Sequence, residues 1–463
     1  MNQIAALPAA ISRSPATGEE LARYPFQSAD DLETVLQSTD NAFRQWRDTP
    51  VEARVEILRR MATVMRANVE AMARMEAREM GMPVSQARGE INKCANLCEW
   101  YAEHGPAMLQ DEPTSIEGDK AYVSYLPLGP VLAVMPWNFP TWQVMRGAVA
   151  IILGGNTYVL KHAPNVMGCA YQLQQAWRDA GLPEGVFEVL NVEPPLVSRA
   201  IADDRIASIA VTGSVGAGAA IASQAGAALK KCVLELGGSD AFIVLADADI
   251  DAAVKAAVAS RFGNCGQVCI AAKRIILEES IAAAFTERFV EAVKALQIGD
   301  PLEDATFLGP MARADLREEL DQQVRASIAD GATLLLGGHK LEGAGNYYAP
   351  TILADVKPGM TSFRQEIFGP VASLIVARDA EHAIELANDS EFGLSGALWS
   401  ADVANARRLA RRIVSGAVFI NGFSASDPRV PIGGVKKSGY GRELSHFGLR
   451  EFLNPQTVWV DRR

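Results

Sequence analysis

Apolar residues recur at helical spacing through the first hundred positions. Leu32, Val35, Leu36, Phe43 and Trp46 fall on one face, and Leu58, Met61 and Met65 form a later stripe. Between them, Thr49-Pro50-Val51-Glu52 offers a capping hydroxyl, a proline at the first helical position and a carboxylate at the third, which predicts a helix start with a capping box. This first part therefore reads as helices. Over 111–133 the pattern changes to two extended runs broken at Gly118-Asp119 and Gly129-Pro130, which predicts a β-hairpin arm.

From about residue 156 short apolar runs alternate with helical ones. Strands are predicted at 157–161, 185–191, 206–212 and 232–236, with helices over about 166–180, 195–202 and 215–227. Such alternation predicts an α/β fold with a parallel, doubly wound sheet. Gly237-Gly238 then opens a second α/β stretch running to about 448, and a last extended run at 457–460 follows Asn454-Pro455.

Composition narrows the possible functions. A chain of 463 residues, 49% hydrophobic and 21% charged, suffices for two or three domains with cores of their own. A net charge of −11 argues against nucleic acid or an anionic membrane as partner, since both need a basic surface. The apolar run from Gly147 to Gly155 is too short to span a bilayer. The N-terminus lacks the basic and apolar regions of a secretory leader. Six cysteines are too sparse for a disulfide framework. These features predict a soluble protein of the reducing cytoplasm.

FGNCGQVC, at 262–269, sets Cys265 and Cys269 four apart, which leaves open metal ligands, a disulfide, one nucleophile or two core residues. No metal site is expected: the five histidines are scattered, and Cys94 and Cys98 fit an apolar helix face. Three other places could carry chemistry. Gly213-Ser214 and Gly218 lie where a strand turns into a helix, a natural phosphate site or a plain tight turn. Glu235 interrupts an apolar strand; alternation alone makes it solvent-facing, whereas burial would suit acid–base work. Asn138 stands between Pro136 and Pro140, which restrict the backbone enough to aim an amide at an oxyanion.

The chain resembles the NAD(P)-dependent aldehyde dehydrogenase superfamily over nearly its whole length. The motifs follow in order: PWNFP, YVLKHAP, VTGSVGAG, LELGGSD, FGNCGQVC, QEIFGPV and INGF…PIGGVKKSGYGRE. KHAPN, LKKCVLELGGSD and GVKKSGYGRELSHFGL are most similar to bacterial succinate-semialdehyde dehydrogenases. The resemblance implies a Rossmann-type cofactor domain (1–108 and 128–236), an α/β catalytic domain (237–448) and a β oligomerisation arm (109–127 and 449–463). That arm would pair subunits into a homodimer or homotetramer.

The resemblance also assigns roles. Cys269 matches the nucleophile, Glu235 the base that activates water, and Asn138 the oxyanion donor. The aldehyde would form a thiohemiacetal on Cys269, then a thioester that water releases as acid. NAD or NADP would be bound by Pro136, Trp137, Lys161, Pro164, Gly213, Ser214, Gly218, Leu236, Glu366 and Phe368. NAD-restricted relatives often carry Glu where this chain has Pro164, so NADP should be tolerated. The expected substrate is succinate semialdehyde, bound by Arg146 and Trp142; the alternative for Arg146 is a surface position on a helix. A second arginine found in some members is Gly263 here, so anchoring is expected to shift to Ser424, Ser426 and Arg429. The rival readings are glutarate semialdehyde or a simple aliphatic aldehyde as substrate, CoA acylation, and a non-catalytic nucleotide-binding protein. Cys265 is left as a small packing residue or a redox partner of Cys269.

Overall fold

The computed structural model describes residues 8–116 and 120–461. The Gly118-Asp119 break and the first seven residues of the leader reading lie outside the described residues.

The chain opens with β1 (Ala9–Arg13) and β2 (Glu20–Pro25), an antiparallel hairpin where only helices were expected. Four helices follow: α1 (Ala29–Trp46), α2 (Val51–Ala67), α3 (Val69–Met80) and α4 (Val84–Met108). Leu32, Leu36, Leu58, Met61 and Met65 are buried as their spacing implied. The predicted capping box at Thr49 does not form. Its hydroxyl donates back to the Gln45 carbonyl (3.2 Å), and no side chain caps α2. The capping box of this region is instead at α1, between Ser28 and Asp31.

β3 (Glu112–Pro113) and β4 (Ala121–Pro127) pair antiparallel. The next run, β5 (Val131–Met135), leaves that arm and becomes the middle strand of a parallel sheet. After α5 (Trp142–Leu153) come β6 (Tyr158–His162), α6 (Met167–Asp179), β7 (Phe187–Val189), α7 (Pro194–Ala202), β8 (Ser208–Thr212), α8 (Val215–Ala227) and β9 (Lys231–Glu235). The five parallel strands lie in the order β9-β8-β5-β6-β7. Helices cover both faces of such a sheet, so its strands need no polar side; all five residues of β8 are buried.

The second sheet comprises β10 (Ala241–Val244), β11 (Arg274–Glu278), β12 (Thr333–Leu336), β13 (Thr351–Ala354), β14 (Val371–Ala377), β15 (Gly396–Trp399) and β16 (Phe419–Ile420). Its order is β12-β13-β14-β11-β10-β15-β16, parallel except for β12. The chain then returns to the first sheet, where β17 (Gly439–Tyr440) pairs antiparallel with β9. Leu444, Leu449 and Phe452 enter the first core, so the stretch after 237 does not stay with the second sheet up to 448. β18 (Leu453–Trp459) finally pairs with β4, giving the order β18-β4-β3. Among the described residues no helix is long and apolar enough to cross a membrane.

Candidate active site

Strand order reverses at β5, with β6 on one side and β8 on the other. The carboxyl ends of the strands at such a reversal flank a ligand crevice. The loop leaving β5 carries Pro136, Trp137 and Asn138. β8 runs into Gly213 and then Ser214, the N-cap of α8, whose hydroxyl accepts from the Ala217 N–H (3.3 Å). A Cβ added at Gly213 or Gly216 would meet nothing within 4 Å, so the helix end is open. Gly218 does the opposite: a Cβ there would lie 2.4 Å from Leu236, which packs against the bare backbone. Lys161 is half-buried near the carboxyl end of β6, and burial lowers its pKa. Pro164 starts the short turn beyond it, with no carboxylate between 162 and 166. An open helix N-terminus with an ammonium at the same sheet edge fits the pyrophosphate and ribose of a dinucleotide.

Cys269 lies beyond α9 (Ile250–Phe262) in a loop of unusual backbone. Asn264, Cys265 and Gly266 have φ of 48°, 54° and 69°, and a Cβ at Gly266 would strike the Gly369 carbonyl at 2.2 Å. Reciprocal bonds lock this loop to the β5 loop. The Asn264 amide donates to the Asn138 carbonyl (2.6 Å), and the Asn138 side-chain amide donates to the Gln267 carbonyl (2.9 Å). On the far side, the Lys273 ammonium donates to the carbonyls of Val268 (2.8 Å) and Cys269 (2.6 Å). Lys273 also pairs with Glu366 (3.1 Å), which accepts from the Gly238 N–H (3.1 Å). Phe368 meets Trp137 edge-on at 5.8 Å. Asn138, Trp137, Glu366 and Phe368 are thus gathered around the Cys269 segment, and Lys273, which sequence reasoning missed, ties Glu366 to it.

The Cys269 thiol is half-buried, and burial pushes its pKa up to about 11 against the opposing charges of Lys273 and Arg146. Cys265 lies in the second core, as a packing residue would, and burial raises its thiol to about 12.

Glu235 is not solvent-facing. It is 3% exposed, because both faces of the sheet are covered, and its Oε1 has no hydrogen-bond partner. Burial drives its carboxyl well above the usual carboxylate range, with Arg146 opposing and Glu443 reinforcing the shift. Gly433 keeps its neighbourhood clear, since a Cβ there would lie 2.8 Å from Oε1. Arg146, for which a surface position was the alternative, is instead 2% exposed and forms an ion pair with the buried Glu443. Glu443 was passed over because its partner lies 297 positions away.

Cys269 opens onto a cavity of about 270 Å³ whose walls include Trp142, Arg146, Ser424, Ser426, Gly263 and Lys93. A Cβ added at Gly263 would meet nothing within 4 Å, so the wall is open at this position. Arg429 is not brought into this cavity. It sits exposed in the loop, bound to Asp427 two residues away (2.7 Å), because a local ion pair costs less chain ordering than a reach into the wall. No cluster of three His, Cys, Asp or Glu among the described residues is arranged to hold a metal ion.

Comparison with known proteins agrees with this geometry. Residues 8–458 match the model of the aldehyde dehydrogenase family. A succinate semialdehyde dehydrogenase of Escherichia coli (strain K12), named for NAD(P)+, is 63% identical over 98% of this chain and 98% of its own. A probable NADP+ succinate-semialdehyde dehydrogenase of Synechocystis is 44% identical over 96% of this chain and 98% of its own. The crystal structure of succinic semialdehyde dehydrogenase from Streptococcus pyogenes, in complex with NADP+, superposes with a TM-score of 0.96 at 35% identity, covering 98% of this chain and all of that one. With the motifs, the strand order and a family match along nearly the whole length in agreement, this chain belongs to the aldehyde dehydrogenase family.

Proposed function

We propose that this protein oxidises succinate semialdehyde to succinate with NAD or NADP. The observation that carries the reading is one cavity that joins a half-buried thiol, Cys269, to basic side chains in its wall. The names of the relatives support the same substrate and both cofactors.

The chemistry follows from the residue types. The Cys269 thiolate adds to the aldehyde carbon, and the oxyanion formed accepts hydrogen bonds from the second N–H of the Asn138 amide and from the Cys269 backbone. A bound nicotinamide would supply the hydride acceptor, and loss of hydride from the adduct leaves a thioester on Cys269. Glu235, as carboxylate, takes a proton from water, and the hydroxide releases the acid from sulfur. Such a base argues against CoA acylation, in which a thiol rather than water accepts the acyl group. Lys161 and the N-terminus of α8 would hold the dinucleotide, and Glu366, fixed by Lys273, and Phe368 would help to bind it. The absence of a carboxylate beside Lys161 leaves room for a 2′-phosphate.

The test is NADH or NADPH formation across a panel of aldehydes. A distal carboxylate that gains a charge-assisted contact should raise kcat/KM by about ten- to a hundredfold over butanal. Equal values for the two substrates would overturn the substrate assignment but not the family chemistry.

The same reading makes the protein a cytoplasmic homo-oligomer. A catalytic free thiol suits a reducing compartment. Trp459 on β18 and the adjoining Val460 are exposed, and an apolar sheet edge of this kind is ordinarily covered. Removal of 454–463 should therefore yield monomer or insoluble protein by light scattering; an unchanged oligomer would reject this surface. The cut spares Leu449, Phe452 and Leu453, which are buried.

A further inference from the structure

We infer that Lys93, on α4, is the cation that recognises the distal carboxylate of the substrate. This role rests on the semialdehyde-acid reading above and names the group that enforces it.

Arg146 and Lys93 are the two basic side chains in the cavity wall. They differ in what already holds them. Arg146 is buried and paired with Glu443, with Thr212 at 3.4 Å, so its charge is neutralised within the protein. Lys93 has no carboxylate within 4.0 Å among the described residues. Its acidic neighbours are held by other groups, Glu90 through Oε1 alone, since its buried Oε2 has no hydrogen-bond partner among the described residues. Glu90, one turn back on α4, accepts from the N–H groups of Thr141 (2.9 Å) and Trp142 (2.6 Å), and Asp427 pairs with Arg429.

The ammonium is nevertheless firmly placed. It donates to the Ser426 hydroxyl (2.6 Å) and stands 4.0 Å from the centre of the Trp142 ring. Two of its three N–H groups make no hydrogen bond among the described residues. Burial lowers its pKa to about 8, so it still carries charge at neutral pH, but at a cost that an incoming anion relieves. A positioned, partly desolvated and uncompensated cation in the wall of a substrate cavity is built for an anionic ligand. It also gives a place to two of the five residues expected to bind substrate: Ser426 orients the ammonium, and Trp142 supports it from the ring face.

The experiment compares kcat/KM for succinate semialdehyde with that for butanal in the parent and in Lys93→Met, Lys93→Gln and Lys93→Arg, each checked by thermal melting. The expected result is a fall in the ratio of about ten- to a hundredfold in the Met and Gln variants, carried by the KM for succinate semialdehyde. Lys93→Arg should keep most of the ratio. Inhibition by succinate should weaken in step in the uncharged variants. Lys93→Gln retains a donor for Ser426 and tests charge alone should the Met variant not fold. A parent that prefers succinate semialdehyde while Lys93→Gln keeps the same ratio would overturn the role of Lys93 and leave the substrate reading intact. A parent with no preference would overturn the substrate reading first.

Discussion

Cys269→Ala abolishes aldehyde oxidation, with turnover expected to fall on the order of 10⁴-fold or more, because no other group can form the covalent adduct. The loss should be one of chemistry and not of fold. Cys269 is half-buried at a cavity wall, outside both large cores, so its thermal melt should stay close to that of the parent. Cys265→Ala should show the reverse pattern. It removes a sulfur from the second core, lowering stability while turnover persists. Both variants are read by NAD(P)H formation beside a melting curve. Comparable turnover in the two would remove Cys269 from the mechanism.

Glu235→Gln separates the two halves of the reaction. Addition to Cys269 and hydride loss need no carboxylate at this position, so a burst of NAD(P)H close to the enzyme concentration should appear. Steady-state turnover should then fall about 10²–10⁴-fold, the usual contribution of a positioned general base. The pH dependence has a definite sign. A base works deprotonated, and burial has raised this carboxyl well above its ordinary range. Steady-state turnover should therefore be weak in acid and rise through neutral into alkaline pH, and this limb should vanish in Glu235→Gln. Full steady-state rate in that variant would assign the base elsewhere.

The parallel sheets and the order of the motifs were legible because their signals are local. α8 was predicted at 215–227 and spans Val215–Ala227, with a serine cap at one end. The β1–β2 hairpin was missed because its second strand, ELARYP, is largely exposed and carries no clean alternation. A capping box is expected at Thr49 because its sequence suits one, yet the hydroxyl donates to a carbonyl one turn back and α2 is left without a side-chain cap. Period-two reasoning made Glu235 solvent-facing, which assumes a sheet with one wet side; this sheet has none. Arg429 could have been discounted, since Asp427 lies two residues before it. The pairing of Arg146 with Glu443, and the solitude of Lys93, were beyond local reading. Each depends on which distant side chains share a wall.

β17 has a bearing on how the enzyme comes into being. Gly439 and Tyr440 pair with Glu235 and Leu234, and the Leu236 N–H donates to the Ser438 carbonyl (3.0 Å), so the strand bearing the base is completed from about 200 residues downstream. At a synthesis rate of about 5–20 residues per second, roughly ten to forty seconds separate the emergence of these two segments. Throughout that interval the glutamate of β9 lacks the neighbour that completes its strand. The edge of β9 that carries the base therefore stays open until nearly the whole chain has been made.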